Sequence, residues 1–212
     1  MHKAILAILL AASATGAQAA VEIDFNNPTG NLGTSHTYSG SGLSVTAYGV
    51  DGGLSPIDLF GKNNGGDENG VGIANDPSGD HEIWWDGVNS GNIILDVSDL
   101  LANSVTEAQF FMGSTTAGEE WILYGQCGAT CFTVLLTGTD ELTWHDLPDW
   151  GSYSAYAFSA GNPGDNVLLG GLSLTQSVPE PATWAMMLLG FGAMGIAFRR
   201  QKRSAKALAK VA

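Results

Sequence analysis

Between residues 20 and 176 the apolar side chains come in short runs separated by Gly, Asn and Asp. Val21–Phe25, Leu43–Val50, Ile57–Phe60, Val71–Ala74, Glu82–Trp85, Asn92–Val97, Val105–Met112, Trp121–Gly125, Cys131–Thr137, Tyr153–Ser159 and Asn166–Leu174 all have the length of strands. Several alternate, as in Leu43, Val45 and Ala47 or Tyr156 and Phe158. That is the two-residue period of a strand with one face in a core. Only Ser98–Asn103 suggests a helical turn, with Ser98 as its cap. Many short strands between turn residues predict an all-β fold, an antiparallel jelly-roll-like sandwich. The last two runs, joined by Asn162-Pro163-Gly164-Asp165, are expected to form a hairpin that closes it. No fixed period recurs along the chain, which argues against a solenoid.

The two ends break this pattern. Met1–Ala19 carries Lys3, an apolar run from Ala4 to Ala12, and Ala17-Gln18-Ala19 as a small-x-small site. These are the parts of a secretory signal peptide cut before Ala20. At the other end Ala182–Phe198 has no charge and is mostly Ala, Met, Leu, Phe and Gly. As a helix rising about 1.5 Å per residue it covers roughly 25 Å, close to the thickness of a bilayer core. Pro179 and Pro181 keep the segment before it extended. Arg199, Arg200, Lys202 and Arg203 follow it, and cations flank the cytoplasmic end of a span. The expected organisation is a signal peptide (1–19), an exported domain (20–176), an anchoring segment (177–203, with a single transmembrane helix at 182–198) and a cytoplasmic tail (204–212).

The C-terminal order of Val178-Pro179-Glu180-Pro181, an apolar span ending Leu189-Gly190-Phe191-Gly192, and Arg199-Arg200 resembles the PEP-CTERM sorting signal of Gram-negative bacteria. The resemblance implies recognition by an exosortase, a membrane transpeptidase that cuts near the Pro-Glu-Pro motif. It also implies a transient membrane anchor and release to the cell surface or the exopolysaccharide matrix. The same segment resembles the ice-binding protein C-terminal domain, a label for the anchor and not for a ligand. The tail after the Arg pair, Ser204–Ala212, is longer than is usual for such signals.

Charge narrows the partners. All but one of the 21 acids lie between residues 20 and 176, against a single lysine there, Lys62. Nucleic acid is excluded, because nothing is present to displace phosphate counterions. The surplus carboxylates act either as solubilising charge or as oxygen ligands for Ca²⁺. Asp67, Asn69, Asp76 and Asp80 are the candidate ligands, the first two in the most polar stretch of the chain, Lys62–Gly70, and the others shortly after it, although neither EF-hand nor Gly-Gly-x-Gly-x-Asp spacing is present. The other reading of Lys62–Gly70 is an exposed loop.

Cys127 and Cys131 flank a turn between two strand runs, and in an exported chain a disulfide is the expectation. Trp84 and Trp85 are candidate carbohydrate contacts. Neighbours on a strand face opposite ways, so one should be buried and the other exposed beside Asp86 and Glu82. The chain has no Gly-x-Ser-x-Gly elbow and no His-Glu-x-x-His pattern, and Glu82 with Glu119 or Glu120 is one carboxylate pair among many. No catalytic function is expected. The reading is an exported structural or adhesive protein. The alternatives are a Ca²⁺-dependent carbohydrate-binding module and a secreted glycan hydrolase.

Overall fold

Alternation decides which side of each strand is buried. In β4 (Leu43–Asp51) Leu43, Val45 and Ala47 are buried while Ser44, Thr46 and Tyr48 face outward. β8 (Ser90–Asp96) and β10 (Trp121–Gly128) repeat the pattern, with Ile93 and Leu95, and Trp121 and Leu123, turned inward. β14 (Asn166–Ser177) differs: Val167 to Leu172 are buried on both faces, as a near-continuous apolar run requires. In this computed structural model the described residues are 18–66, 68–115, 118–177, 187–192 and 194–195.

The remaining elements are β1 (Gln18–Asp24), β2 (Gly30–Gly33), β3 (Ser35–Gly40), β5 (Leu59–Asn63), β6 (Asn69–Ile73), β7 (Ile83–Trp85), α1 (Ser98–Ala102), β9 (Val105–Thr115), β11 (Cys131–Gly138), β12 (His145–Asp146) and β13 (Ala155–Ala160). One layer runs β3–β4–β8–β13–β10–β11. The other runs β2–β5–β6–β14–β9–β12, with β1 also on β14. The short β7 pairs with β8 of the first and β14 of the second, so it stitches the layers together. The registers among β2 to β14 are antiparallel. The chain is all-β and sandwich-like, as its pattern predicts.

The core lies between the layers. Phe110 of β9 meets Phe158 of β13 edge to face at 5.1 Å and Trp121 of β10 at 5.3 Å. These rings, with Leu95, Leu169 and Leu172, are fully buried. Each contributes about 1.5–3 kcal/mol through the apolar surface it removes from water. Trp121 also satisfies its indole N–H on the Asp140 carbonyl at 3.1 Å.

Three expectations need correction. β13 and β14 do not form a hairpin. β13 pairs with β8 and β10, β14 pairs with β9, and the turn at 162–165 carries the chain from one layer to the other. The reason is burial: a strand apolar on both faces cannot sit at the margin of the first layer and takes a central place in the second. Asp165 fixes that turn, accepting from the Asn162 and Glu120 backbone N–H groups at 2.8 and 3.0 Å. Ser98 is not the helix cap. Val97 holds that position, and the Ser98 hydroxyl turns back to donate to Asp96. Strands β2, β3 and β12 were not expected, because they carry few apolar residues; β3 is an edge strand that pairs only with β4.

The expected signal peptide lies outside the described residues except for Gln18 and Ala19, which begin β1. Most of the expected span at 182–198 lies outside them too. Within it residues 187–192 and 194–195 are helical. Among the described residues no helix is long and apolar enough to cross a membrane. Residues 19–176 form one compact unit; 1–18 and 177–212 are assigned to another.

Cys127 and Cys131 are joined across the β10–β11 turn, with Cα atoms 5.1 Å apart. So short a loop removes little entropy from the unfolded chain. The double replacement Cys127→Ser, Cys131→Ser is expected to fold and to lose about 2 kcal/mol in urea titrations. A chain without cooperative unfolding would contradict that.

Candidate functional site

The candidate site is built where β5 turns into β6. Lys62 is the penultimate residue of β5, and Asn69 opens β6. The turn between them is held by the Asn69 side chain, which accepts from the Gly65 N–H at 2.9 Å and donates to the Gly66 carbonyl at 2.8 Å. A second segment then passes close over β6. A Cβ on Gly72 would lie 2.1 Å from the His81 carbonyl oxygen and 2.7 Å from the Glu82 Cα, so only glycine admits this approach. His81 holds the segment in place by stacking on Phe60 at 3.9 Å and by placing Nδ1 3.0 Å from the Ala74 carbonyl. Glu82 is thereby set above Lys62.

Lys62 is the only Lys or Arg among the described residues, and it is buried. Its ammonium donates to Glu82 Oε1 at 2.7 Å and forms an ion pair with Glu68. Glu68 also accepts from the Ser114 hydroxyl at 3.1 Å. Glu119 and the exposed Asp80 complete the wall of a hollow of about 760 Å³. Glu119 accepts the Asn166 backbone N–H at 3.2 Å.

These contacts separate the protonation of the two paired carboxylates. Burial pushes Glu82 up to about 7; the Lys62 ammonium opposes the shift, while the charges of Glu68 and Glu119 add to it. Glu68 is held below the usual carboxylate range, first by its hydrogen bond from Lys62. Burial alone would lower Lys62, but its hydrogen bonds to the two glutamates outweigh it and leave the ammonium above its ordinary value. A carboxylate pair that flanks a scissile bond is separated by about 5 Å or more. Glu68 and Glu82 close on one ammonium, with Lys62 and Glu82 buried and the Glu68 side chain partly exposed.

Of the carboxylates weighed as one pair among many, Glu82 and Glu119 share this hollow and Glu120 does not line it. Glu120 accepts from the Asn162 amide at 3.1 Å. Lys62, read as part of an exposed loop, is instead the buried centre of the site. The signal for this was its isolation: a lone cation among so many acids has few ways to stay unpaired.

Three of the four proposed calcium ligands lie among the described residues. Asp67 lies outside the described residues. Asn69 is committed to its turn. Asp76 accepts from the Ser78 N–H and hydroxyl and from the Glu82 N–H at 3.3 Å. Asp80 stands at the edge of the hollow. Among the described residues no group of three or more His, Cys, Asp or Glu is placed to hold a metal. Trp84 and Trp85 face opposite ways but are both half-buried, so the expected contrast of one buried and one exposed does not hold. Trp84 packs on the core, and Trp85 lines a different hollow from the one that holds Glu82.

His145 Nε2 lies 2.8 Å from Asp140, and Asp146 accepts from the Gln109 amide.

A family comparison bears on the other end of the chain. Residues 177–203 match the PEP-CTERM protein-sorting motif. No curated protein and no solved structure matches the chain. The PEP-CTERM motif implies export and sorting to the cell envelope, with an exosortase as the processing partner. Its residues Val178, Pro179, Glu180, Pro181, Arg199 and Arg200 lie outside the described residues, so the structure adds no geometry to them.

Removing the lysine should expose how much the site depends on it. Above pH 7, where Glu82 is ionised, Lys62→Met leaves that buried carboxylate without its counter-charge and is expected to cost about 3–5 kcal/mol in urea unfolding. A loss within experimental error would show that the ion network is dispensable.

Glu82 also sets a pH dependence. The folded chain keeps the Glu82 proton up to about 7, whereas the unfolded chain releases it near 4.5. Between those values the folded state holds the extra proton, so this group's contribution to stability falls as pH rises. Glu68 works the other way: its contribution is present above the ordinary glutamate range and is lost on acidification. Comparing Glu82→Gln with the parent across that window should show a shallower decline in the variant's urea midpoint. Parallel curves would remove Glu82 as the cause.

Proposed function

We propose that this chain is an exported envelope protein whose acidic β-domain is delivered by an exosortase-processed C-terminal signal and serves a structural or adhesive role at the cell surface or in the polysaccharide matrix. The observation that carries the reading is the match of residues 177–203 to the sorting motif, directly after the last strand of the domain. The amino-terminal signal peptide, the single span at 182–198 with its cationic flank inside, and a jelly-roll-like path for the strands are parts of the same proposal. Support also comes from the charge: a domain with one lysine is repelled by nucleic acid and by anionic bilayers, and it stays soluble and self-repelling outside the cell. The disulfide fits an oxidising compartment.

Green fluorescent protein, fused between Gln176 and Val178 in a host that encodes an exosortase, reports the topology. The fusion is expected to stay dark after Sec-dependent export and to fractionate with the surface or the matrix. The triple replacement Pro179→Ala, Glu180→Ala, Pro181→Ala is expected to leave the chain in the inner membrane at unchanged size. Cytosolic fluorescence, or normal sorting of the triple variant, overturns the proposal.

A further inference from the structure

The outward face of the first layer carries a trough lined by aromatic rings and small polar side chains. Registers across four adjacent strands put Tyr124, Ala157, Ile94 and Tyr48 in one row. The next row places Ile122 beside Ser159, and Asn92 beside Val50. Three strand spacings make the row roughly 14 Å long. A hollow of about 400 Å³ sits over these rows and is bordered by Trp85 and Phe132. It shares Val50 and Ile94 with a second hollow of about 370 Å³ that reaches Tyr48. Tyr124 and Phe132 stand with ring centres 6.4 Å apart at 82°, so the two rings form a corner.

Two features decide what such a trough can take. First, no Asp, Glu, Lys or Arg lines the larger hollow, although the domain is crowded with acids. The single charged group in the smaller one, Asp96, already accepts from the Ser98 N–H and hydroxyl. A cation finds no counter-charge there, and the surplus carboxylates repel an anion. Second, polar atoms are interleaved with the rings: Ser90, Asn92 and Ser159 lie among Trp85, Tyr124 and Phe132. The Asn92 amide donates to the Ser90 hydroxyl at 3.0 Å, but its Oδ1 is shut away from solvent without a partner.

We infer that this trough is a binding site for a neutral glycan, its sugar rings lying on Trp85 and Tyr124 and its hydroxyls meeting Ser90 and Ser159. Sugar rings offer apolar C–H faces and hydroxyl edges without charge, which is what the trough complements. Length across four strands suits an oligosaccharide better than a monosaccharide. The inference deepens the adhesive reading above and rests on it only for location, since export puts the trough where glycans are. It requires no calcium and does not use the Lys62 hollow.

The test is calorimetry on the full chain in mild detergent, with cellohexaose, xylohexaose and mannohexaose as neutral probes and an oligogalacturonate as an anionic one, all in chelator. Saturable binding of at least one neutral probe is expected. It should weaken about tenfold or more in Trp85→Ala and in Tyr124→Ala. It should survive in Tyr124→Phe, which keeps the ring, and in Trp144→Ala, whose half-exposed ring packs on Phe111 away from the trough. Thermal melts of each variant separate lost binding from lost folding, and Ser159→Glu, which puts a charge into the trough and should also weaken binding about tenfold, carries the comparison if the alanine variants unfold. Several results overturn the inference: no neutral probe binds, oligogalacturonate binds more tightly, binding is unchanged in both folded alanine variants, or the trough is filled by a second copy, seen as a dimer that Tyr124→Ala dissociates. Binding with failed export would sink the surface reading and leave the trough; export without binding would sink the trough alone.

Discussion

One ammonium group organises the most demanding corner of this protein. Lys62 is buried at the end of β5, and it holds Glu68 from the following turn and Glu82 from the segment that leads into β7. β7 is the strand that pairs with both layers. The ion network therefore fastens the place where the sandwich changes sheets. A buried charge pair is a weak source of net stability, because desolvation consumes most of the attraction. Its stronger effect is on geometry: three chain segments reach one point or leave charges uncompensated.

The rest of the domain depends on ordinary apolar packing arranged around that fastening. Phe110, Phe158 and Trp121 interlock across the layers, and β14 runs through the second layer buried on both sides. Gly72 belongs to the same account, since it lets His81 and Glu82 pass close enough for the glutamate to reach the lysine. With the interior closed in this way, the outward faces are left to differ. One hollow is rich in charge and held by internal contacts, while the larger hollow of the trough over β4, β8, β13 and β10 has no charged side chain and is lined by rings.

The alternation of Leu43, Val45 and Ala47, or of Trp121 and Leu123, was readable because burial on one face imposes a two-residue period. β2 and β3 were not readable, since edge strands with few apolar residues leave little periodic trace. The β13–β14 pairing was misjudged for a different reason. A Pro-Gly turn between two apolar runs specifies a reversal of the chain, but whether the runs then pair or part depends on what competes for their edges. The candidate site shows the same division. The cysteine pair could be read from its spacing and setting, whereas the meeting of Lys62 with Glu82, twenty residues on, needed the close approach over Gly72.

The sequence by itself determined the destination of the protein and its class of fold. A sorting motif is read in extended or helical order along the chain, and alternation is a local consequence of strand geometry, so both survive without tertiary contacts. Only the tertiary structure decided which strands pair, which carboxylates share the one lysine, and which half-buried rings gather on one face. Those depend on registers between segments distant in sequence, and the free energy that selects a register comes from packing the whole interior at once.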